Sequence, residues 1–318
     1  MAKHFVEVNS VDDLITIFSS ETFPQKFILG GGSNMLLTQD IDALVVHLDL
    51  KGKTILEQTE TEVLVKCQAG ENWHEFVLWT LEKDFGGLEN LSLNPGNVGT
   101  SPIQNIGAYG VELKDTLLRC ETIKLEDRKT YIFSNKDCKF GYRNSIFKEE
   151  AKGKYIITKV IFELTKKEHV LHTKYGAIEN ALQNEGITSP TIKDISEAVI
   201  KIRKSKLPDP SQIGNSGSFF KNPIINTNHF MKLKEGYPNI PSYKIDNEHI
   251  KIPAGWLIEN AGWKGFIDGA IGVHKKQALV LVNYGQGLGS EIYNLSEQII
   301  QDVQLRYGIG LEREVNIY

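Results

Sequence analysis

Residues 86–110, GGLENLSLNPGNVGTSPIQNIGAYG, constrain the fold of this chain more than any other stretch. They show neither the spacing of a helix nor the alternation of a strand. They are rich in glycine, hold two prolines and carry little charge. A solvated linker would be more polar and more highly charged. A long irregular segment inside a compact domain is ordinarily a functional loop held by regular elements around it. The chain has to fold around such a loop, so the flanking sequence must supply the scaffold.

Short β-type runs dominate the first 165 residues: Phe27–Leu29, Ala43–Leu48, Val63–Gln68, Leu117–Leu125 and Tyr155–Leu164. Several alternate apolar and polar residues, the period of a half-buried strand. Ser10 and Asp13 form a capping pair before Leu14, Ile17 and Phe18, which predicts an early helix. A second helix is predicted over Asn72–Lys83 and a third through Ile192, Ile195, Val199 and Ile202, stopped by Pro208 and Pro210. A last helix is expected from Ser290 to Tyr307 and a closing strand over Glu314–Tyr318.

A length of 318 residues predicts two domains. A net charge of −4 argues against a general nucleic-acid or membrane-surface role. Three cysteines, Cys67, Cys120 and Cys138, lack ligand spacing, which predicts a reducing cytoplasm and no zinc site or other metal. No apolar leader opens the chain and no run of about 18 apolar residues occurs, so neither a signal peptide nor a membrane span is expected.

Three glycine clusters could cradle a phosphate. Gly30-Gly31-Gly32-Ser33-Asn34 follows an apolar run but fits neither the Walker nor the Rossmann pattern. Residues 94–110 crowd small and amide-bearing side chains together, suited to a flat polar ring system such as a dinucleotide with a fused ring. Gly285-Gln286-Gly287-Leu288-Gly289 is one residue short of the Rossmann spacing and is expected to be a structural turn. Gly214-Asn215-Ser216-Gly217-Ser218-Phe219-Phe220-Lys221-Asn222-Pro223 is a fourth focus. Ser218 is a candidate proton donor or nucleophile there, with Phe219 and Phe220 expected to keep water from it.

Taken in order, FILGGGSNMLL (27–37), NPGNVGTSPIQNIGAYG (94–110), FGYRNSIFK (140–148), KLPDP with GNSGSFFKNP (206–223), PAGWLIENAGWKG (253–265), HKKQALVLVN (274–283) and GIGLEREV (308–315) resemble the UDP-N-acetylenolpyruvoylglucosamine reductases. Tyr175-Gly176 resembles the tyrosine loop of the larger, first subtype of that family. The resemblance spans nearly the whole chain. It implies an α+β fold: a two-lobed FAD-binding domain of the vanillyl-alcohol-oxidase/PCMH type, residues 1–210 and 291–318, plus a smaller α/β substrate-binding domain, residues 211–290. It implies a cytoplasmic oxidoreductase of peptidoglycan precursor synthesis, expected to be a monomer. In it NADPH reduces a noncovalent FAD, which then reduces the enolpyruvyl ether of a UDP-linked sugar.

The same resemblance assigns site residues. Flavin contacts are expected from Gly30, Gly31, Gly32, Ser33, Asn34, Asn94, Pro95, Gly96, Val98, Gly99, Thr100, Ser101, Gln104, Asn105, Gly107, Ala108 and Tyr109. Substrate contacts are expected from Tyr175, Lys206, Asn222, Tyr243 and Gln277. Hydride addition to an enol ether bearing a carboxylate builds negative charge on that carboxylate. Arg143 is the expected stabiliser, since a guanidinium forks onto a carboxylate and stays charged. An acid from the C-terminal segment should assist. Glu312 and Glu314 share one strand face, so the residues alone do not choose between them, and the family pattern assigns Glu314. Glu314 is expected to return to the FAD part, across a cleft from the proton donor Ser218.

Overall fold

A computed structural model describes residues 2–174 and 177–318. The chain divides into two compact units, Met1–Gly32 with Ile41–Ser205, and Ser33–Asp40 with Lys206–Tyr318. Both mix helices and strands, as an α+β fold requires.

The first unit holds two sheets. Ala2–Val8, Ile41–Leu48 and Lys26–Leu29 form a three-stranded parallel sheet in that spatial order. Helix α1, Val11–Ser19, opens where Ser10 Oγ accepts the Asp13 amide at 3.1 Å, as its capping pair predicts. Leu14 packs with Val8, Leu44 and Val46 in this sheet's core. The second sheet is antiparallel and five-stranded, ordered Thr130–Ser134, Leu117–Lys124, Tyr155–Thr165, Glu62–Gln68 and Lys53–Gln58. Its central strand is buried along most of its length, which explains the long apolar run in the sequence.

Helix α2, Trp73–Glu82, is capped by Asn72, whose side chain accepts the Glu75 amide at 3.1 Å. Its Trp73 and Phe76 cluster with Phe162 of the central strand, at ring separations of 6.1 and 5.0 Å. Trp73 Nε1 also donates to the Leu91 carbonyl at 2.9 Å, fastening the 86–110 loop to this core. Helices α3, Ile178–Asn184, and α4, Ile192–Lys206, bury Ile178, Leu182, Ile195, Val199 and Ile202 together.

The second unit is built on an antiparallel sheet ordered Gly214–Ser218, Val280–Asn283, Ile271–Val273 and Ile267–Asp268. A small sheet of Ile224–Asn226, His249–Lys251 and Tyr243–Lys244 lies beside helix α5, Thr227–Gly236. Helices α6, Ala254–Asn260, and α7, Gly289–Tyr307, complete the core with Phe219, Phe220, Leu257, Ile258, Leu295 and Ile299. Residues 291–318, expected with the first part of the chain, therefore pack here, because the apolar face of α7 covers this sheet. Residues 33–40 also belong here: Met35–Leu36 pairs in parallel with Asn316–Ile317. That pair is all that forms of the strand expected over Glu314–Tyr318.

Candidate active site

In the first unit, the two earlier glycine clusters are packed against one another. A Cβ added at Gly31 would lie 2.8 Å from Gly96 Cα and 2.9 Å from Asn97 Oδ1. Only glycine lets these two backbones approach so closely. The loop 86–110 is ordered by short 3-10 turns at Glu89–Leu91 and Val98–Thr100 and by the pair Gly107–Ala108 with Val111–Glu112. Val98, Gly99, Ser101 and Asn105 are buried in it. Asn105 Nδ2 donates to Glu112 Oε2 at 2.9 Å and to the Gly141 carbonyl at 3.1 Å, and its Oδ1 accepts the Lys114 amide at 3.0 Å. The side chain expected to touch a flavin thus has both ends engaged in tying this loop to the one bearing Arg143.

Arg143 Nη2 donates to the Gly107 carbonyl at 2.6 Å, and its guanidinium lies 5.5 Å from the Tyr142 ring centre. Its backbone is left-handed at φ 52°, an uncommon conformation for a long side chain. Sequence reasoning missed a second arginine nearby. Arg203 on α4 has a buried Nε with no hydrogen-bond partner among the described residues. Burial lowers its proton affinity, the Tyr109 phenol offsets part of that, and the charge of Arg143 adds to it. Burial likewise raises the Tyr109 pKa against the pull of Arg203. The guanidinium is hydrogen-bonded to the Tyr109 side chain, which leaves the buried Nε as a charged donor that an anion could satisfy. The signal in sequence was one basic residue among several at a helix end, where cations are ordinary.

In the second unit, Ser218 ends the strand Gly214–Ser218, which bulges between Asn215 and Ser218 against its neighbour. Gly217, at φ 75°, supplies the left-handed step that the bulge needs. Ser218 is exposed, and Phe219 and Phe220 are both 1% exposed, 5.4 Å apart within the unit's core. The expectation that this pair shields Ser218 from water is corrected: the rings anchor the strand from below.

Glu314 lies beside that strand. Its amide donates to the Phe219 carbonyl at 2.8 Å, and the Lys221 amide donates to the Glu312 carbonyl at 2.9 Å, flanking a bridge between Phe220 and Arg313. Ser218 and Glu314, expected across a cleft, are therefore borne by two adjoining segments of one unit. Glu312 is exposed and ion-paired to Lys221, so these two residues answer one another's charge.

Four of the five expected substrate residues, Lys206, Asn222, Tyr243 and Gln277, lie in the second unit. Lys206 is exposed. Asn222 Oδ1 accepts the amide of Ala254, the first residue of α6, at 2.9 Å. Tyr243 lies 5.9 Å from the Lys251 ammonium, and Gln277 Oε1 accepts the Leu279 amide at 3.4 Å. Tyr175 falls outside the described residues. The third glycine cluster is a turn held by Asn283, whose side chain bonds Gly285 and twice Gly287. His274, expected to be structural, is buried with Nδ1 unpartnered; burial, then Lys276 and Lys275, lower its pKa. Among the described residues no helix is long and apolar enough to cross a membrane.

Residues 2–129 match the family model described as FAD binding domain, which marks the first unit as that of a flavoprotein. Residues 209–318 match the model described as UDP-N-acetylenolpyruvoylglucosamine reductase, C-terminal domain. The chain is 55% identical to the UDP-N-acetylenolpyruvoylglucosamine reductase of Flavobacterium johnsoniae over 99% of its own length and 94% of that protein. It is 46% identical to the Pseudomonas aeruginosa reductase over 92% of its length and 85% of that protein. The chain belongs to the UDP-N-acetylenolpyruvoylglucosamine reductase family. The crystal structure of the Thermus caldophilus reductase shares its fold with a TM-score of 0.65 at 21% identity, covering 99% of this chain and 91% of that one. The fold is thus the FAD-binding type of the vanillyl-alcohol-oxidase/PCMH class with a reductase C-terminal domain.

The residues of the first unit fit an FAD. Gly30 and Gly31 approach Thr100 and Gly96 so closely that an added Cβ would come within 3 Å, and consecutive glycine peptides of this kind are suited to hold a phosphate. The Arg203 Nε, without a partner among the described residues, gives a cationic donor suited to an anionic or carbonyl-bearing ring.

Proposed function

We propose that this protein is an NADPH-dependent flavoenzyme that reduces the enolpyruvyl ether of UDP-N-acetylglucosamine enolpyruvate to UDP-N-acetylmuramate, in the cytoplasm, for peptidoglycan precursor synthesis. The observation that best supports this is the pairing of Glu314 with Phe219, which brings a carboxyl group and the Ser218 hydroxyl onto adjoining segments. Gly30–Gly32, Asn94–Gly96, Val98–Ser101, Gln104 and Gly107–Tyr109 would hold FAD, with Ser33 and Asn34 beside them in sequence. Bound FAD supplies a two-electron carrier between NADPH and the substrate.

The overall change is an enol ether plus NADPH plus a proton giving a lactyl ether plus NADP. Hydride ends on the methylene carbon, its electron pair forming the new C–H bond, while the π electrons of the C=C bond shift towards the carboxylate. Arg143 answers the charge that builds there with a fixed fork of donors. Glu314, as the neutral acid, donates a hydrogen bond to the same developing anion. Ser218 Oγ gives its proton to the neighbouring carbon and is reprotonated from solvent, to which it is exposed. Lys206, Asn222, Tyr243, Gln277 and Tyr175 are assigned to the UDP-sugar.

The test is anaerobic. NADPH should bleach the FAD-loaded protein, and UDP-N-acetylglucosamine enolpyruvate should restore the colour with formation of the lactyl ether. Colour that returns only when air is admitted would instead mean an oxidase, and that result overturns the proposal.

A further inference from the structure

We infer that Arg313 is the positioning residue for Glu314, holding its strand by a clamp on α7. The inference rests on the role given to Glu314 above and adds a residue to it. Three contacts define the clamp. Arg313 Nε donates to Ser296 Oγ at 2.8 Å, Nη2 donates to Glu297 Oε1 at 2.6 Å, and the guanidinium lies 4.5 Å from the Tyr293 ring centre. These partners occupy successive positions on one face of α7. Two directed hydrogen bonds and a ring fix both the direction and the plane of the guanidinium.

The strand pairing around Glu314 is short, and the adjoining Val315 is buried in the same core. The ladder beside it is a single bridge, Phe220 with Arg313, closed by two hydrogen bonds. Regular pairing resumes only at Asn316. On the far side Asn34 Nδ2 reaches the Glu314 carbonyl at 3.4 Å, while Asn316 Nδ2 bonds the Asn34 carbonyl at 2.9 Å. Successive side chains of an extended segment face opposite ways. With Arg313 pinned to α7, Glu314 is turned to the face away from the helix. A lone exposed ion pair contributes little to stability. The clamp differs in that Arg313 is largely covered, with 19% of its side chain exposed, and its other donor is given to the buried Ser296. Freeing Arg313 would loosen the segment that carries Glu314 against α7, and a shift near 1 Å costs on the order of 100-fold in a positioned reaction.

The experiment compares Arg313→Met, Arg313→Lys, Glu314→Gln and the double variant Arg313→Met/Glu314→Gln as FAD-loaded proteins. Flavin bleaching by NADPH and flavin reoxidation by UDP-N-acetylglucosamine enolpyruvate are followed separately. Arg313→Met should slow reoxidation by about 10- to 100-fold, with the substrate KM and the rate of bleaching little changed. Arg313→Lys, which keeps the charge opposite Glu297 but loses the fork, should fall between. In the Glu314→Gln background, Arg313→Met should add almost nothing, since a residue acting only through Glu314 has no further effect once that carboxyl is gone. If the two losses multiply, or if bleaching and reoxidation fall together, Arg313 is a structural brace and the inference is overturned. Should Arg313→Met fail to fold, the same cycle is run with Arg313→Lys. A wild-type protein that substrate does not reoxidise overturns the functional reading, and the positioning role with it.

Discussion

The amide of Glu314 donates to the carbonyl of Phe219 at 2.8 Å, so the backbone of Glu314 is set against that of the residue following Ser218. Ser218 and Glu314 are 96 apart in sequence, and the bridge between Phe220 and Arg313 joins the segments that carry them. If both act in the proton and charge chemistry, each should be separable from cofactor reduction. Ser218→Ala and Glu314→Gln should each slow reoxidation of the reduced flavin by about 100- to 10,000-fold. Stopped-flow absorbance should show the NADPH-dependent bleaching nearly unchanged. A normal reoxidation rate in Ser218→Ala would remove the serine from the chemistry.

Gly31→Ala tests the paired glycine segments. The new methyl would meet Gly96 Cα and Asn97 Oδ1 within 3 Å. Overpacking of this kind costs about 1–3 kcal/mol, and if that strain is relieved by moving the two loops, FAD affinity should drop by about 10-fold or more. Fluorescence titration of the apo-protein with FAD measures it. Unchanged affinity would place the flavin elsewhere.

Glu71 gives a pH-dependent prediction. It is buried at 7% exposure; Lys53 Nζ lies 2.7 Å from Oε2, and the Gly52 amide lies 2.7 Å from Oε1. Burial pushes its pKa up, but the Lys53 bond and the Gly52 amide outweigh it and leave the pKa below the ordinary glutamate value. A lowered folded pKa stabilises the fold above the unfolded pKa, and that contribution is lost as pH falls through the folded one. Glu71→Gln should therefore cost about 1–3 kcal/mol at neutral pH. The difference from wild type should close below about pH 4.3, the usual glutamate value. Urea melts across pH give both quantities; a difference constant with pH would refute the ion pair.

Asn222 caps α6 through the Ala254 amide while also standing as a candidate substrate contact. Asn222→Ala should destabilise by about 1 kcal/mol and weaken the substrate. Asn222→Asp keeps the acceptor, so it should keep the stability, while its charge repels a nucleoside diphosphate. Thermal melts beside substrate KM values separate the two roles. Equal KM in all three proteins would leave Asn222 a cap alone.

The elements legible in the sequence were those with strong local signals. Ser10 caps the helix that its pairing with Asp13 predicts, the helix expected over Asn72–Lys83 forms with Asn72 as its cap, and the apolar runs become the expected strands. What local signals could not show was partnership. The apolar stripe of α7 states that the helix is buried but not in which unit, and it lies with Phe219 and Phe220. Phe219 and Phe220 read as shields for Ser218 because sequence order does not reveal which side of a bulged strand is core. Asn105 and Arg313 carry their meaning through partners that include ones 36 and 16 residues away. The family motifs located the candidate site residues, but burial, charge neighbours and the orphaned Arg203 Nε came from the structure.

The strand pair Met35–Leu36 with Asn316–Ile317, sealed where Thr38 reaches the Tyr318 carbonyl 280 residues later, gives this protein a long wait during its own synthesis. At about 5–20 residues per second, the segment around Met35 leaves the ribosome on the order of 15–60 s before its partner exists. During that interval a short apolar strand has an open edge, the kind of edge that pairs with neighbouring chains. Slower translation or a crowded polysome should then raise the share of misassembled chains, and a chaperone that covers nascent strands should lower it.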